Sequence, residues 1–418
     1  MRIEILCTGN ELLDGSVVDA NAPYFCGRAF ARGAVVSHRL TLPDDLSALV
    51  SAMRAISQRA DFAVVSGGLG PTIDDLTLEA AAQAAGVPLV EDPALLARLR
   101  ERFARRGIAF TENNGRQARI PLGGEAVVNR FGTAPMVVFR IDRAEFHFLP
   151  GVPREFRGLC DEEVMPRLER RLAATANRVH RASRVLKCIG IGESHLDDLV
   201  KDLPARHPKV QVGFRTHAPE NHLKLLAEGE TDAEAQARLA AAEAQARSLL
   251  GTRVFGADQE ELPAAALGSL RAAGATLALA ESCTAGLCAS LLASVPGASD
   301  ALVFSAVVYQ DRAKSILLGL DPSMIEREGA VSARVTRALA EAAREKAGAT
   351  FGAAVTGWAG PGGGTAQDPV GTVYLCLTDG RTAVEERHRF GFDRDRVRTF
   401  AAYQVLDLVR RRAAPGAP

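Results

Sequence analysis

A serine, a tyrosine and a lysine can together open an amide or an ester without a histidine, and residues 280–314 hold such a set in Ser282, Tyr309 and Lys314. Ser282 follows the apolar run at residues 275–280, which reads as a buried strand, and precedes a helical pattern through Leu291 and Leu292. It therefore falls on a strand-to-helix turn, where the amides of the first helical residues and the helix dipole favour negative charge. Tyr309 and Lys314 leave the end of the next apolar run, residues 303–308, where open parallel sheets place ligands. A lysine acts as a base only when its amine is neutral, which requires a partly dry crevice or a nearby cation. Read singly, Ser282 is a helix N-cap and Lys314 a solvated helix residue. A third strand end changes the balance. The strand at residues 351–355 opens into Thr356-Gly357-Trp358-Ala359-Gly360-Pro361-Gly362-Gly363-Gly364, a run that cannot pack a core and whose amides suit phosphate. Cys283 is also a candidate nucleophile at a helix start, and ranks below Ser282.

The N-terminal half carries a second constellation. A buried strand at residues 62–65 opens into Ser66-Gly67-Gly68-Leu69-Gly70-Pro71-Thr72-Ile73-Asp74-Asp75-Leu76-Thr77. The glycines permit close approach of the backbone to a phosphate, the threonines offer hydroxyls, and a helix N-terminus follows. Adjacent Asp74 and Asp75 make sense beside phosphate if a divalent metal ion lies between, although one of the two is expected only to cap the helix. Further polar turns occur at Gly9-Asn10-Glu11, Asn113-Asn114-Gly115, Gly132-Thr133-Ala134-Pro135 and Pro150-Gly151-Val152-Pro153. Together they read as the rim of a nucleotide site.

The elements that must hold these turns follow from length and pattern. A chain of 418 residues suggests about three domains. Residues 1–172 alternate strands with helices, which implies a doubly wound parallel sheet. Residues 173–176 form a small-residue linker. Residues 177–256 give strand, helix, two strands and helix, a small two-layer α+β module whose last helix opens on a Thr231-Asp232-Ala233-Glu234 capping box. That module reads as a spacer or dimerisation element. Its His207, His217 and His222 are too irregularly spaced for a metal site and read as surface residues. Residues 258–413 form a second α/β domain.

Fifty basic residues balance fifty acidic ones, so no global field draws the chain to nucleic acid or an anionic membrane. No apolar run reaches the ~18 residues of a membrane span, and the first residues enter a strand without a leader pattern, so a cytoplasmic location is expected. The seven cysteines, unpaired in spacing, read as free thiols.

The sequence resembles the CinA family. The likeness rests on Gly9-x-Glu11-Leu12-Leu13, the glycine loop through Asp74-Asp75, Glu112-Asn113-Asn114, Gly132-Thr133-Ala134-Pro135 and Pro150-Gly151-Val152-Pro153-Arg154-Glu155, and in the C-terminal half on Glu281-Ser282-Cys283-Thr284, Tyr309 with Lys314, and the loop from Thr356. The resemblance implies a MoaB/MogA-like N-terminal domain, a KH-like middle module and a CinA C-terminal domain. For the last it implies PncC-type deamidation of nicotinamide mononucleotide to nicotinate mononucleotide and ammonia, with no cofactor. Ser282 would attack, Lys314 held by Tyr309 would be the base, amides near Thr284 would hold the oxyanion, and Thr284 and Gly286 would bind substrate. Thr356, Gly357, Gly360, Gly362, Gly363 and Gly364 would bind the ribose phosphate. For the first domain it implies metal-dependent hydrolysis of ADP-ribose, with Asp74 or Asp75 on the metal and Gly67, Gly68, Gly70, Pro71, Thr72, Asn113, Gly132, Thr133 and Gly151 around the nucleotide. A homodimer is expected, and neither a membrane nor a nucleic-acid partner. Ala285, and Ser305-Ala306, stand where the family often has glycine, and are expected to narrow the pocket. The rival readings are a non-catalytic interaction protein in competence or recombination, and a molybdopterin-binding protein.

Overall fold

A computed structural model describes residues 1–174 and 179–414. Part of the expected linker at 173–176, and the expected domain start at 177, lie outside the described residues. The chain divides into two compact units, residues 1–182 with 228–236, and residues 183–227 with 237 onward.

The first unit is built on a six-stranded sheet in the order Val36–Leu42, Ile3–Thr8, Phe62–Ser66, Ala144–Leu149, Met136–Ile141, Glu125–Val127. Its first four strands are parallel and the last two antiparallel. Every residue of Ile3–Thr8 and Phe62–Ser66 is buried, the mark of strands covered on both faces. Alternation then divides the core. Ile3, Ile5, Phe62 and Val64 pack with Phe25, Phe156 and Leu168 on one face, while Leu6, Ala63 and Val65 pack with Leu49, Met53 and Phe148 on the other. Helix Leu46–Arg59 opens on an acidic N-cap, the Asp45 carboxylate accepting from the Ala48 amide.

In the second unit the five-stranded sheet runs Leu302–Val307, Leu277–Glu281, Phe351–Gly357, Thr372–Thr378, Ala383–Arg389. The first three strands are parallel, so their carboxyl ends lie along one edge of the sheet, and the last two are antiparallel. Helix Arg394–Ala413 covers one face through Val397, Ala401, Val405 and Leu408, and helix Ala333–Ala347 covers the other through Val335, Leu339 and Ala343. Both N-caps act as their residue types predict, Asp393 accepting from the Arg396 amide and Ser332 from that of Val335.

The middle module does not stand apart as a spacer. Ile189 and Phe255 belong to the same apolar cluster as Leu262, Leu270, Val405 and Leu408 of the C-terminal domain. His222 is not a surface histidine either: it is buried with its Nε2 2.9 Å from the Glu220 carboxylate.

Candidate functional site

The three parallel strand ends of the second unit are tied by their own backbones. The Ser282 amide donates to Val355 O at 3.0 Å, and the Val308 amide to Glu281 O at 2.8 Å. Ser282, Tyr309 and Lys314, which come from segments up to thirty-two residues apart, thereby line one cavity of about 340 Å³ with Gly357, Gly360 and Gly362. Ser282 and Lys314 are buried and Tyr309 is half exposed.

The serine turn differs from the expected one. The helix begins only at Leu287, and its N-terminal amides are already taken: Gly286, Cys288 and Ala289 all donate to the fully buried carboxylate of Glu281, at 3.0, 3.0 and 2.9 Å. Gly286, at φ 92, caps the helix and does not line the cavity. The Ala285 and Leu287 amides donate back to Ser282 O and Thr284 O. The amides of Cys283 and Thr284 face the Cys283 sulfur. Thr284 is wholly buried and contributes no side chain to the cavity wall.

Cys283 is disfavoured as a nucleophile, since burial pushes its thiol up to about 12 and the two amides only partly oppose this. Lys314 has the burial the mechanism needs, but its nearest charged partner is an anion: Nζ lies 2.8 Å from Asp311 Oδ1, and Asp311 reaches solvent. Asp311, Trp358 and Arg394 also line the cavity and escaped the sequence reading. Arg394 donates to Gly360 O at 2.6 Å and to the Tyr309 hydroxyl, so it joins the tyrosine to the glycine loop. Its position, on the first turn of a helix thirty residues beyond that loop, gave no local signal.

Three of the expected loop contacts fall elsewhere. The Thr356 hydroxyl is buried against that of Thr336 at 2.7 Å. Gly363 and Gly364 shape the loop without lining the cavity: a Cβ at Gly363 would lie 2.6 Å from the Trp358 ring, and one at Gly364 2.8 Å from Val370 N. Nor do Ala285, Ser305 or Ala306 narrow the cavity, since none of them lines it.

In the first unit a cavity of about 560 Å³ is lined by Gly67, Gly68, Gly70, Pro71, Asp74, Asp75, Thr133 and Gly151 among others. Glycine is required at 67 and 68, where φ is 107 and 65 and a Cβ would meet Thr8 O at 2.5 Å or Thr77 Oγ1 at 2.1 Å. Thr72, Asn113 and Gly132 do not line it. Thr72 gives both its amide and its hydroxyl to Asp75, Asn113 accepts from the Thr111 hydroxyl, and the Gly132 amide donates to Asn129 Oδ1. Neither aspartate caps the helix as expected, since the N-cap of Thr77–Ala85 is Leu76 without a side-chain bond; Asp75 instead braces its own turn, accepting from Gly70 N at 2.7 Å and Thr72 N at 2.8 Å. Glu11, Asp44 and Glu155 bring further carboxylates to the wall, missed as a group because they come from three separate turns. Asp44 is engaged by Thr8 and Asn10, and Glu155 by Asn129. Among the described residues no three histidine, cysteine or acidic side chains converge as a metal site. With Asp75 committed to the loop, the residues present do not fit a metal cage supplied by the protein alone.

Among the described residues no helix is long and apolar enough to cross a membrane. Three family models match the chain in order: a probable molybdopterin binding domain at residues 4–170, the damage-inducible protein CinA KH domain at 183–256, and the CinA C-terminal domain at 259–413. The architecture is thus a MoaB/MogA-like α/β domain, a KH-like module and a CinA α/β domain. Among solved structures, the protein CinA of Thermoplasma acidophilum is 31% identical, with TM-score 0.37, over 40% of this chain and 97% of its own. A CinA-like protein of Anaeromyxobacter sp. is 46% identical over 98% of both chains. Another, from Myxococcus xanthus, is 48% identical over the whole of both, and with that agreement along the full length the chain belongs to the CinA family.

Proposed function

We propose that the C-terminal cavity hydrolyses the carboxamide of nicotinamide mononucleotide, giving nicotinate mononucleotide and ammonia. The observation that carries this reading is the convergence of Ser282, Tyr309 and Lys314 on one small cavity floored by a glycine loop and flanked by Arg394. Ser282 Oγ attacks the carboxamide carbon while Lys314 takes its proton and later gives it to the departing ammonia. Asp311, which accepts from Lys314 Nζ at 2.8 Å, fixes the position of the amine at the edge of the cavity. Of the amides not already used within the turn, only that of Cys283 belongs to a residue lining the cavity, and it is the proposed oxyanion donor, a contribution commonly worth ~10²–10³ in rate. Water then opens the acyl-enzyme. Arg394 supplies a fixed positive charge for the phosphate, beside the Gly360 and Gly362 backbone. Ser282→Ala and Lys314→Ala are each expected to abolish ammonia release while melting with the parent protein; turnover at the parental rate in either refutes the assignment.

The first unit supports a second activity, hydrolysis of ADP-ribose to AMP and ribose 5-phosphate. The supporting observation is the wall of Gly67, Gly68, Gly70 and Gly151 along a cavity large enough for a nucleotide. A divalent ion, if used, would be held mainly by the substrate's phosphates with Asp74. Incubating the protein with ADP-ribose, with and without chelator, tests it: absence of AMP under both conditions rejects the activity.

A further inference from the structure

A cavity separate from both candidate sites takes part in neither proposed activity. It is a cleft of about 750 Å³ within the second unit, between the Gly190-Ile191-Gly192 turn of the KH-like module and the start of the last helix of the C-terminal domain. Its charges are unevenly satisfied. The acids that face it are engaged: Glu386 by His388 and Arg411, Asp407 by Arg410 and Arg411, Glu193 by the Thr216 hydroxyl, Glu220 by His222. Among the described residues, the guanidiniums of Arg253, Arg389 and Arg396 have no carboxylate partner, and all three are exposed on the wall. Beside them Phe390, Phe392 and Phe400 form an aromatic step, Phe392 and Phe400 with ring centroids 4.7 Å apart and Arg396 4.3 Å over the Phe392 ring.

Unpaired guanidiniums call for an anion, and phosphate matches their fork of donors. Phe392 is the exposed ring of the step, and a flat ring could pack on its edge or displace the Arg396 guanidinium that now covers its face. A site of this volume encloses a small molecule rather than tracking a strand. We propose that this cleft binds a free nucleotide, base on the phenylalanine step and phosphate between Arg389 and Arg396. The inference does not depend on either proposed activity. Its position also gives it a route to the catalytic cavity: Arg396 stands two residues after Arg394, on the same first helical turn, and Arg394 holds Tyr309 and Gly360. A ligand that fixes Arg396 fixes the turn that carries Arg394.

Photolabelling with 8-azidoadenosine triphosphate, followed by peptide mapping of the full chain, tests the site. The expected result is label in residues 386–400 or 189–193, displaced by unlabelled ATP. In the exposed-site variant Arg389→Gln/Arg396→Gln, affinity for the label in those peptides falls at least about tenfold, as expected on losing charge-assisted bonds. Its melting temperature stays parental, and the single Arg389→Gln gives a smaller loss in the same direction. Absence of label from these peptides overturns the proposal, as does equal label in the double variant. Displacement by polyadenylate at far lower nucleotide concentration than by ATP also overturns it, because the site would then belong to single-stranded nucleic acid.

Discussion

Replacing Glu281 by glutamine tests the reasoning about the serine turn most directly. Oε2 of Glu281 accepts from both Gly286 and Cys288 and Oε1 accepts from Ala289; the carboxylate and Cys288 are buried, Gly286 and Ala289 partly so. Glutamine keeps one oxygen, which can serve two of these amides as a neutral acceptor. Its NH2 then faces the third amide, donor against donor. One charge-assisted bond is lost and two are weakened, for a cost of about 2–4 kcal/mol. Alanine would strand all three amides and is the poorer probe. With a urea dependence of roughly 2 kcal/mol per molar, the unfolding midpoint of this unit falls by about 1–2 M. Trp358 is the only tryptophan in the chain and lies in the same unit, so its fluorescence follows the transition. Glu281 does not line the cavity, so it is a positioning residue, and ammonia release should fall chiefly in kcat because Ser282 loses its fixed turn. A Glu281→Gln protein with parental midpoint and parental kcat would show that the buried carboxylate braces nothing.

Three other outcomes follow from local geometry. Ala285 sits at φ 51, a left-handed conformation costing an alanine ~1–2 kcal/mol, partly offset by the extra entropy glycine loses on folding; Ala285→Gly is therefore expected to raise stability by up to about 1 kcal/mol, and a lower melting temperature would contradict it. Cys283→Ala should keep ammonia release, and native Cys283 should resist iodoacetamide at pH 8, because burial pushes the thiol up to about 12; loss of activity on removing the thiol alone, with Ser282→Ala active, would exchange the nucleophile. Glu220 is pushed up to about 7 by burial and by Glu261, against the opposing charges of Lys187 and His217. The folded protein then keeps a proton the unfolded chain has released, so this contribution to stability is full below about pH 4.5 and is lost as pH rises towards 7; Glu220→Gln should remove that slope, and an unchanged slope would deny Glu220 as its source.

Much of the fold could be read from the chain because its strands obey simple rules. Continuous apolar runs such as residues 62–65 and 275–280 became doubly covered parallel strands, and Asp45, Ser332 and Asp393 capped the helices they precede. The KH-like module was harder to place. Its secondary structure is local, but its packing is not: Ile189 and Phe255 have nothing in their neighbouring sequence to say that their partners are Leu262 and Val405. A module read as a spacer or dimerisation element therefore shares a core with the domain that follows it.

The candidate site divides along the same line. Residues that act through backbone shape were legible, since Gly67, Gly68, Gly357 and Gly360 stand where no larger residue fits the turn or the close approach. Residues that act through a side chain fixed from a distance were not. Glu281 was visible only as a charge ending an apolar run, and nothing in that run tells whether its carboxylate turns out to a ligand or in to the amides of the following turn. The difference reverses the electrostatics of the site: once Glu281 occupies the helix N-terminus, the dipole that seemed ready for an oxyanion is already answered by a protein carboxylate. In the proposed reaction the helix dipole is therefore not free to meet negative charge developing on a substrate, and the helix that follows Ser282 serves to hold the serine's turn in place.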